Sequence, residues 1–305
     1  MDSLLVTGAA GFIGSNFCKQ LVLKNKYKIY ILDDLTYAGS LENLNDIDPK
    51  KYEFIKGSIC NQDFVENLFK EYKFKKIVHF AAETHVDNSI SSPSSFIQTN
   101  INGTYTLLQA ALDLWMEKPF QKKSEFQHSL FLHISTDEVY GSLDIDAEPF
   151  SENSPYLPNS PYSASKASSD LIVRSFNKTY GLNTIITNCS NNYGEKQHIE
   201  KLIPKVIKCC FDRTSIPVYG DGSNVRDWIY VGDHCEALSL ILESKYFGES
   251  FCIGGDNEIS NKELVNLICL EFNNIFPEYN HLALIEFVED RLCLLYTSDA
   301  ADDSL

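Results

Sequence analysis

The sequence is short of basic side chains, with 26 Lys and Arg against 42 Asp and Glu, for a formal net charge of −16. This excess argues against non-specific binding to nucleic acid and to anionic membrane surfaces, because both carry negative charge themselves. It does not exclude an anionic substrate, since a single pocket can be locally basic.

Other absences narrow the class of protein further. The nine cysteines include no Cys-x-x-Cys spacing and their number is odd, which argues against a disulfide scaffold or a zinc site. Met1-Asp2-Ser3 leads into an apolar run without the basic segment of a secretion signal. No apolar stretch reaches the ~18 residues that a membrane span needs. We therefore expect a cytoplasmic protein without metal, membrane or nucleic-acid partners.

Short apolar runs alternate with longer amphipathic stretches in the first half of the chain, which is typical of a doubly wound parallel α/β sheet of the Rossmann type. The length of 305 residues allows one large or two modest domains. The predicted strands are 4–7, 29–32, 54–56, 77–80, 130–135 and 184–187, and the predicted helices are 12–24, 63–72, 96–115 and 162–180.

The rhythm changes in the second half, and this change sets the predicted domain boundaries. Four prolines between Pro149 and Pro161 indicate an ordered loop before a helix. We expect an NAD-binding Rossmann domain over 1–187 and mainly a smaller substrate-binding lobe over 188–290. Residues 291–305 continue no pattern, and we interpret them as a non-native tail that leaves the lobe truncated.

A glycine-rich turn after the first strand predicts a dinucleotide site. Gly8 permits the tight turn, Gly11 lets the backbone approach a diphosphate, and Gly14 allows close packing of helix on strand. Such a turn alone is a weak signal. Here a strand precedes it, a helix follows it, and Asp33 ends the second strand, where a carboxylate accepts from ribose hydroxyls and repels a 2′-phosphate. The pattern favours NAD over NADP.

Two further clusters carry candidate chemistry. Tyr162 and Lys166 share one helix face, and a nearby ammonium lowers the pKa of a phenol so that it can remove a hydroxyl proton. Alone, such a pair is more often an ordinary surface pair. Thr136-Asp137-Glu138 ends the strand 130–135, at the sheet edge where such folds place their chemistry. The two carboxylates could be a solvated turn, but beside a nicotinamide they fit an acid and a base.

These motifs resemble the extended short-chain dehydrogenase/reductases and, among them, the dTDP-glucose 4,6-dehydratase family, over nearly the whole chain. The Asp137-Glu138 pair separates this family from sugar-nucleotide epimerases and decarboxylases. The resemblance is carried by Thr7-Gly-Ala-Ala-Gly-Phe-Ile-Gly14, Leu35-Thr-Tyr-Ala-Gly39, His79-Phe-Ala-Ala-Glu-Thr-His-Val-Asp87, Ser135-Thr-Asp-Glu-Val-Tyr-Gly141, Tyr162-Ser-Ala-Ser-Lys166, Asn188-Cys-Ser-Asn-Asn-Tyr-Gly194, Glu200-Lys-Leu-Ile-Pro204 and Arg226-Asp-Trp228.

The resemblance implies a hydro-lyase that oxidises dTDP-glucose at C4, eliminates water across C5 and C6, and returns hydride to C6, giving dTDP-4-keto-6-deoxyglucose. Its implied catalytic residues are Thr136, Asp137 (acid), Glu138 (base), Tyr162 and Lys166. The implied NAD contacts are Gly8, Gly11, Phe12, Ile13, Gly14, Asp33, Asp34, Leu35, Thr36, Ser58, Ile59, Phe80, Ala81, Ala82, Glu83, Thr99, Tyr162, Lys166 and Asn192. The implied substrate contacts are Thr84, Thr136, Asn191, Lys201, Leu202, Pro217, Val218, Tyr219, Arg226 and Asn261.

The family also implies a homodimer in which the helices 96–115 and 162–180 pair. One position departs from its pattern: Ser58 stands where the family usually has Asp, which predicts somewhat weaker NAD binding. Two alternatives stay open, a 4,6-dehydratase of another nucleotide-sugar such as UDP-glucose and a non-catalytic NAD-binding homologue.

Overall fold

The structure is a computed structural model that describes residues 1–143 and 148–289. The predicted tail 291–305 lies outside these ranges. Within them, no helix is both long and apolar enough to cross a membrane. The strands are β1 Asp2–Thr7, β2 Tyr27–Asp33, β3 Tyr52–Lys56, β4 Lys76–His79, β5 Met116–Lys118, β6 Gln121–Lys122, β7 Leu130–Thr136, β8 Thr184–Cys189, β9 Asn191–Tyr193, β10 Ile216–Tyr219, β11 Val225–Tyr230, β12 Ser250–Ile253, β13 Glu258–Ser260 and β14 Ile285–Val288.

Three helices match the predicted stretches 12–24, 63–72 and 162–180 to within one residue at each end. The described helices are α1 Phe12–Lys24, α2 Gln62–Tyr72, α3 Val86–Ser91, α4 Pro93–Phe96, α5 Thr104–Trp115, α6 Pro161–Tyr180, α7 Leu202–Asp212, α8 Val231–Glu243 and α9 Asn261–Ile275.

Seven parallel strands form the central sheet in the order β3-β2-β1-β4-β7-β8-β12. Helices α1 and α8 pack on one face, and α2, α5 and α6 pack on the other. This is the predicted Rossmann-type α/β fold. The strand order reverses beside β1, and the carboxyl ends of β1 and β4 form the crevice where such sheets bind ligands.

The second half of the chain contributes to both domains. The small lobe contains the helices α7 and α9, the strand pair β10–β14 and the three-stranded sheet β9–β11–β13. Its core includes Val206, Val218, Val265 and Phe272. However, β12 pairs with β8 in the central sheet, and α8 packs on α1. The range 188–290, predicted to be mainly the substrate lobe, therefore also supplies a helix and a strand of the large domain.

The predicted helix 96–115 is interrupted. Residues Ile97–Gly103 form a π-helical segment between α4 and α5. The Asn100 side chain in this segment bonds outside its own helix: its oxygen accepts from Glu83 N over 2.8 Å, and its amide donates to Glu83 O and to Ser165 Oγ. This brings the segment against the loop after β4 and against α6. Such segments are common at functional sites.

Candidate active site

The glycine turn between β1 and α1 has the shape of a diphosphate cradle. Gly8 has φ +71°, and a Cβ there would lie 2.5 Å from the backbone nitrogen of Ala81. A Cβ on Gly14 would lie 2.6 Å from the carbonyl oxygen of Gly8. Neither position has room for a side chain, so the backbone itself lines the crevice. The N-terminus of α1 points its free amides to this turn, where a negatively charged group is favoured.

Asp33 at the end of β2 holds the turn in place. Its carboxylate is buried and accepts from the backbone nitrogens of Ala10, over 2.9 Å, and Leu35, over 2.8 Å. Burial raises the pKa of Asp33, and these two hydrogen bonds oppose that rise. A carboxylate has further lone pairs, so Asp33 can still accept from a ribose.

A cavity of about 470 Å³ opens at the carboxyl edge of β1, β2 and β4, within the size range of small-molecule sites. Most of the predicted NAD contacts line it: Gly8, Gly11, Phe12, Ile13, Gly14, Asp33, Asp34, Thr36, Ser58, Ile59, Phe80, Ala81, Ala82, Glu83 and Thr99. Leu35, Tyr162, Lys166 and Asn192 do not. The turn, the buried carboxylate and the elongated set of walls fit a dinucleotide.

Sequence reasoning missed one wall of this cavity, which the segment 196–200 forms. Lys196 fixes it there, donating to the carbonyl of Asn43 and to the carboxylate of Asp46, each over 2.6 Å. The other lining residues that were missed are Leu32, Tyr37, Ala38, Gly39, Ser40, Asn43 and Gly57. The polar residues between Gly194 and Glu200 could have indicated this wall, because two of the motifs that carry the family resemblance flank them.

The carboxylate pair lies on a short turn that extends from β7. Thr136 caps this 3-10 turn: its hydroxyl accepts from Glu138 N over 3.3 Å and donates to Asp137 Oδ1 over 3.2 Å. Glu138 is buried, and Asp137 is half-buried. Burial raises the pKa of Asp137 to about 7, so this carboxyl carries its proton over much of the neutral range.

Tyr162 and Lys166 lie in the first two turns of α6. Ser160 and Ser163 form a capping box, and Pro161 occupies the first turn, so the helix begins immediately before the pair. Tyr162 is fully buried and packs edge-on against Phe96. Lys166 is 2% exposed and donates to the carbonyl of Ile134 over 2.8 Å. Burial lowers the pKa of Lys166 to about 8.

Asn191 and Asn192 lie in β9, beside the end of β8. Both are buried. Asn192 donates to the carbonyl of Ser190 over 3.0 Å, and its oxygen lies 2.8 Å from His234 Nδ1. Burial lowers the pKa of His234 to about 3, so the imidazole is neutral and can donate to this amide. The two asparagines thus occupy fixed positions, but neither lines the large cavity.

A second, smaller cavity of about 50 Å³ lies between the large domain and the lobe. It collects the predicted substrate contacts of the second half of the chain, namely Lys201, Leu202, Pro217, Val218, Tyr219, Arg226 and Asn261. Thr84 lines the large cavity instead, and Thr136 and Asn191 line neither. Because Glu200 and Lys201 border both cavities, the two form adjoining parts of one crevice.

Positive charge is buried in this second cavity despite the acidic composition. Lys201 and Arg226 are 7% and 2% exposed, which is unusual for such side chains. A diphosphate would balance them. Lys205, one turn after Lys201 on α7, and His85 also line the cavity and were missed by sequence reasoning. The spacing of four residues between Lys201 and Lys205 could have identified Lys205 as a site residue.

The sequence profile of a family described as GDP-mannose 4,6 dehydratase matches residues 5–286. The chain belongs to this family. Among its curated relatives, the dTDP-glucose 4,6-dehydratase of Neisseria meningitidis serogroup B is 46% identical over 297 residues, covering 95% of this chain and 83% of the relative. That of Haemophilus influenzae is 44% identical, covering 95% and 87%.

Solved structures of this dehydratase family and of epimerases share the fold. DesIV, a dTDP-glucose 4,6-dehydratase from Streptomyces venezuelae crystallised with NAD bound, has a TM-score of 0.84 at 41% identity, covering 98% of this chain and 88% of that one. A UDP-glucose 4-epimerase from Thermotoga maritima has a TM-score of 0.82 at 26% identity, covering 98% and 90%. The fold is common to both activities, whereas sequence identity is higher to the dehydratase.

Proposed function

We propose that this protein is a dTDP-glucose 4,6-dehydratase that uses NAD and forms dTDP-4-keto-6-deoxyglucose. The observation that carries the proposal is the pair Asp137-Glu138, which is held at the end of β7 by Thr136 and includes one carboxyl with a pKa near 7. Neighbouring carboxyls with different protonation suit an acid and a base in one elimination. The curated relatives support this reading, since several at about 45% identity carry the same name.

The large cavity supplies the cofactor site in this proposal. Gly8, Gly14 and the N-terminus of α1 would hold the diphosphate of NAD, and Asp33 would accept from the adenosine ribose. NAD, when bound, accepts a hydride from the sugar and gives one back later in the same turnover. Structures of related enzymes with NAD bound support this choice. Ser58 lines the same cavity and offers a hydroxyl without charge to the cofactor.

Tyr162 and Lys166 carry the first proton transfer. Tyr162, as phenolate, takes the proton of the C4 hydroxyl while the C4 hydrogen leaves as hydride, and a ketone forms at C4. Lys166 stays protonated and stabilises the phenolate. The walls that bury Tyr162 exclude water, which strengthens this attraction.

Asp137 and Glu138 carry the elimination. The C4 ketone makes the C5 proton acidic, and Glu138 removes it. Asp137 donates its proton to the C6 hydroxyl, which leaves as water. Hydride then adds to C6, and Glu138 returns its proton to C5. The phenol of Tyr162 releases the proton taken from the C4 hydroxyl, and Asp137 takes up one proton from solvent, so both groups are ready for the next turnover. The hydride removed from C4 is the one added at C6, so the net reaction consumes no reductant.

The direct test is incubation of the purified protein, with its NAD complement measured, with dTDP-glucose, UDP-glucose and GDP-mannose in parallel. The 4-keto-6-deoxy product is followed by its absorbance in alkali. We expect turnover of dTDP-glucose at a kcat/KM at least tenfold above that of the other two. Faster turnover of UDP-glucose would make this a dehydratase of another nucleotide-sugar, and no turnover by the NAD-loaded protein would indicate a non-catalytic homologue.

We also propose a homodimer formed through α5 and α6. Tyr105 and Leu171 expose apolar surface on these two helices, and such surface is typical of a subunit interface. Sedimentation tests the dimer: Leu171→Glu should shift a dimer to monomer, and a monomeric wild type would contradict the proposal.

We further propose a cytoplasmic location. The eight described cysteines are unpaired, which is typical of a protein in a reducing compartment.

A further inference from the structure

A buried carboxylate lies one helical turn beyond Lys166 on α6. Asp170 is 1% exposed, and its Oδ2 accepts from Ser135 Oγ over 2.9 Å, the Tyr156 hydroxyl over 3.0 Å and the Asn188 amide over 3.1 Å. Three donors on one oxygen match the carboxylate form, which only accepts hydrogen bonds. The reaction described above gives this buried negative charge no role.

The hydrogen bonds of Asp170 join the catalytic helix to the strand end that carries the acid and base. Ser135 directly precedes Thr136 in β7. Asn188 in β8 donates to the carbonyl of Thr136, over 3.0 Å, as well as to Asp170. One carboxylate on α6 thus fixes the backbone from which the Asp137-Glu138 turn begins.

The same carboxylate acts on the charge of Lys166. Burial opposes the ammonium form, and Asp170 provides the largest electrostatic attraction to it, ahead of Cys189. Burial, together with the positive charge of Lys166, lowers the pKa values of His79 and His133, so both imidazoles are neutral. The titratable groups that interact electrostatically with Lys166 are Asp170 on α6, His79 on β4, His133 on β7 and Cys189 on β8.

We propose that Asp170 is a positioning residue of the dehydratase, which keeps Lys166 protonated and holds the end of β7 against α6. The proposal rests on the proposed function, because it assigns Asp170 a part in the oxidation at C4. Asp170 gains and loses no proton in this role. It acts through Lys166 and Ser135, and the proton of the C4 hydroxyl goes to Tyr162.

The test is Asp170→Asn, which keeps the shape and one acceptor oxygen but removes the charge. The rate of enzyme-bound NADH formation is measured at 340 nm after rapid mixing with dTDP-glucose, from pH 6 to 9.5. The wild-type rate should fall as the pH rises through about 8, where Lys166 loses its proton. In D170N this fall should lie about one pH unit lower, so the rate is about fivefold slower at pH 8, about tenfold slower at pH 9.5 and within about threefold at pH 6.

Two controls separate charge from structure. Tyr156→Phe removes one hydrogen bond to Asp170 but keeps its charge, so the fall should stay at the wild-type pH. Asp170→Glu also keeps the charge, and it serves as the test if D170N does not fold. If the rate of NADH formation in this variant falls at the same pH as in the wild type, the proposal is supported. If the fall in rate lies a full pH unit lower, the proposal is overturned.

The remaining outcomes decide between this proposal and the proposed function. Slowing of D170N by the same factor at every pH, with the fall unmoved, overturns the role for Asp170 and leaves the dehydratase intact. Absence of NADH formation in the NAD-loaded wild type overturns the proposed function, and with it the role for Asp170.

Discussion

Lys166 on α6 donates to the main-chain carbonyl of Ile134 in β7, over 2.8 Å. This bond turns the ammonium inward, under the strand end that carries the acid and base, and away from solvent. It also explains how a buried lysine is tolerated, because the ammonium keeps a hydrogen-bond acceptor after losing water. The bond thereby links the proposed oxidising pair, Tyr162 and Lys166, to the strand that leads into the proposed eliminating pair, Asp137 and Glu138.

Tyr162→Phe should abolish oxidation at C4 with little effect on folding. The ring packs on Phe96 and Val86, and phenylalanine keeps that packing. Loss of the general base should slow formation of bound NADH by about 10²–10⁴-fold, measured at 340 nm after mixing with dTDP-glucose. Tyr180→Phe, at the far end of α6, is the matched control and should leave the rate unchanged. NADH formation at the normal rate in Y162F would remove Tyr162 from the mechanism.

The elimination should depend on the proton of Asp137. Because burial raises the pKa of Asp137 to about 7, the acid form predominates below pH 7 and is lost above it. Steady-state turnover should therefore fall about tenfold for each pH unit above 7, while bound NADH accumulates because the elimination becomes slow. Turnover measured beside the 340 nm signal checks both effects. Turnover that stays level from pH 6.5 to 8 would exclude Asp137 as the acid.

Asp33→Asn should weaken NAD binding. The amide has one acceptor oxygen, so it cannot accept from both Ala10 N and Leu35 N and also from a ribose. Loss of a charge-assisted bond of about 1.5–3 kcal/mol predicts an increase in Kd of about 10–100-fold, measured by calorimetry on NAD-free protein. Asp63→Asn, an exposed carboxylate on α2, is the control. An unchanged Kd in D33N would contradict the assignment of Asp33.

The first half of the fold was predictable because its signals are local. The apolar run before Gly8 and the amphipathic stretch of α2 are each contained in a few residues, and the structure places β1 and α2 accordingly. The same holds for the glycine turn, with Asp33 at the end of the next strand.

The parts that were missed depend on contacts between distant segments. The pairing of β12 with β8 joins segments about sixty residues apart, and nothing within Ser250–Ile253 specifies that partner. Asn100, in the π-helical segment, bonds to Glu83 and Ser165, and a helical periodicity does not reveal these contacts. The wall of the large cavity at 196–200 likewise depends on Lys196 reaching Asp46 in the other half of the chain.

The central claim is that Asp137 and Glu138 eliminate water from a sugar already oxidised at C4. The double variant Asp137→Asn, Glu138→Gln tests it most directly, when mixed with dTDP-glucose and followed at 340 nm alongside assay of the 4-keto-6-deoxy product. The account predicts that bound NADH forms and persists, with product formation at least about 10²-fold slower than in the wild type. Product formation at the wild-type rate would contradict it.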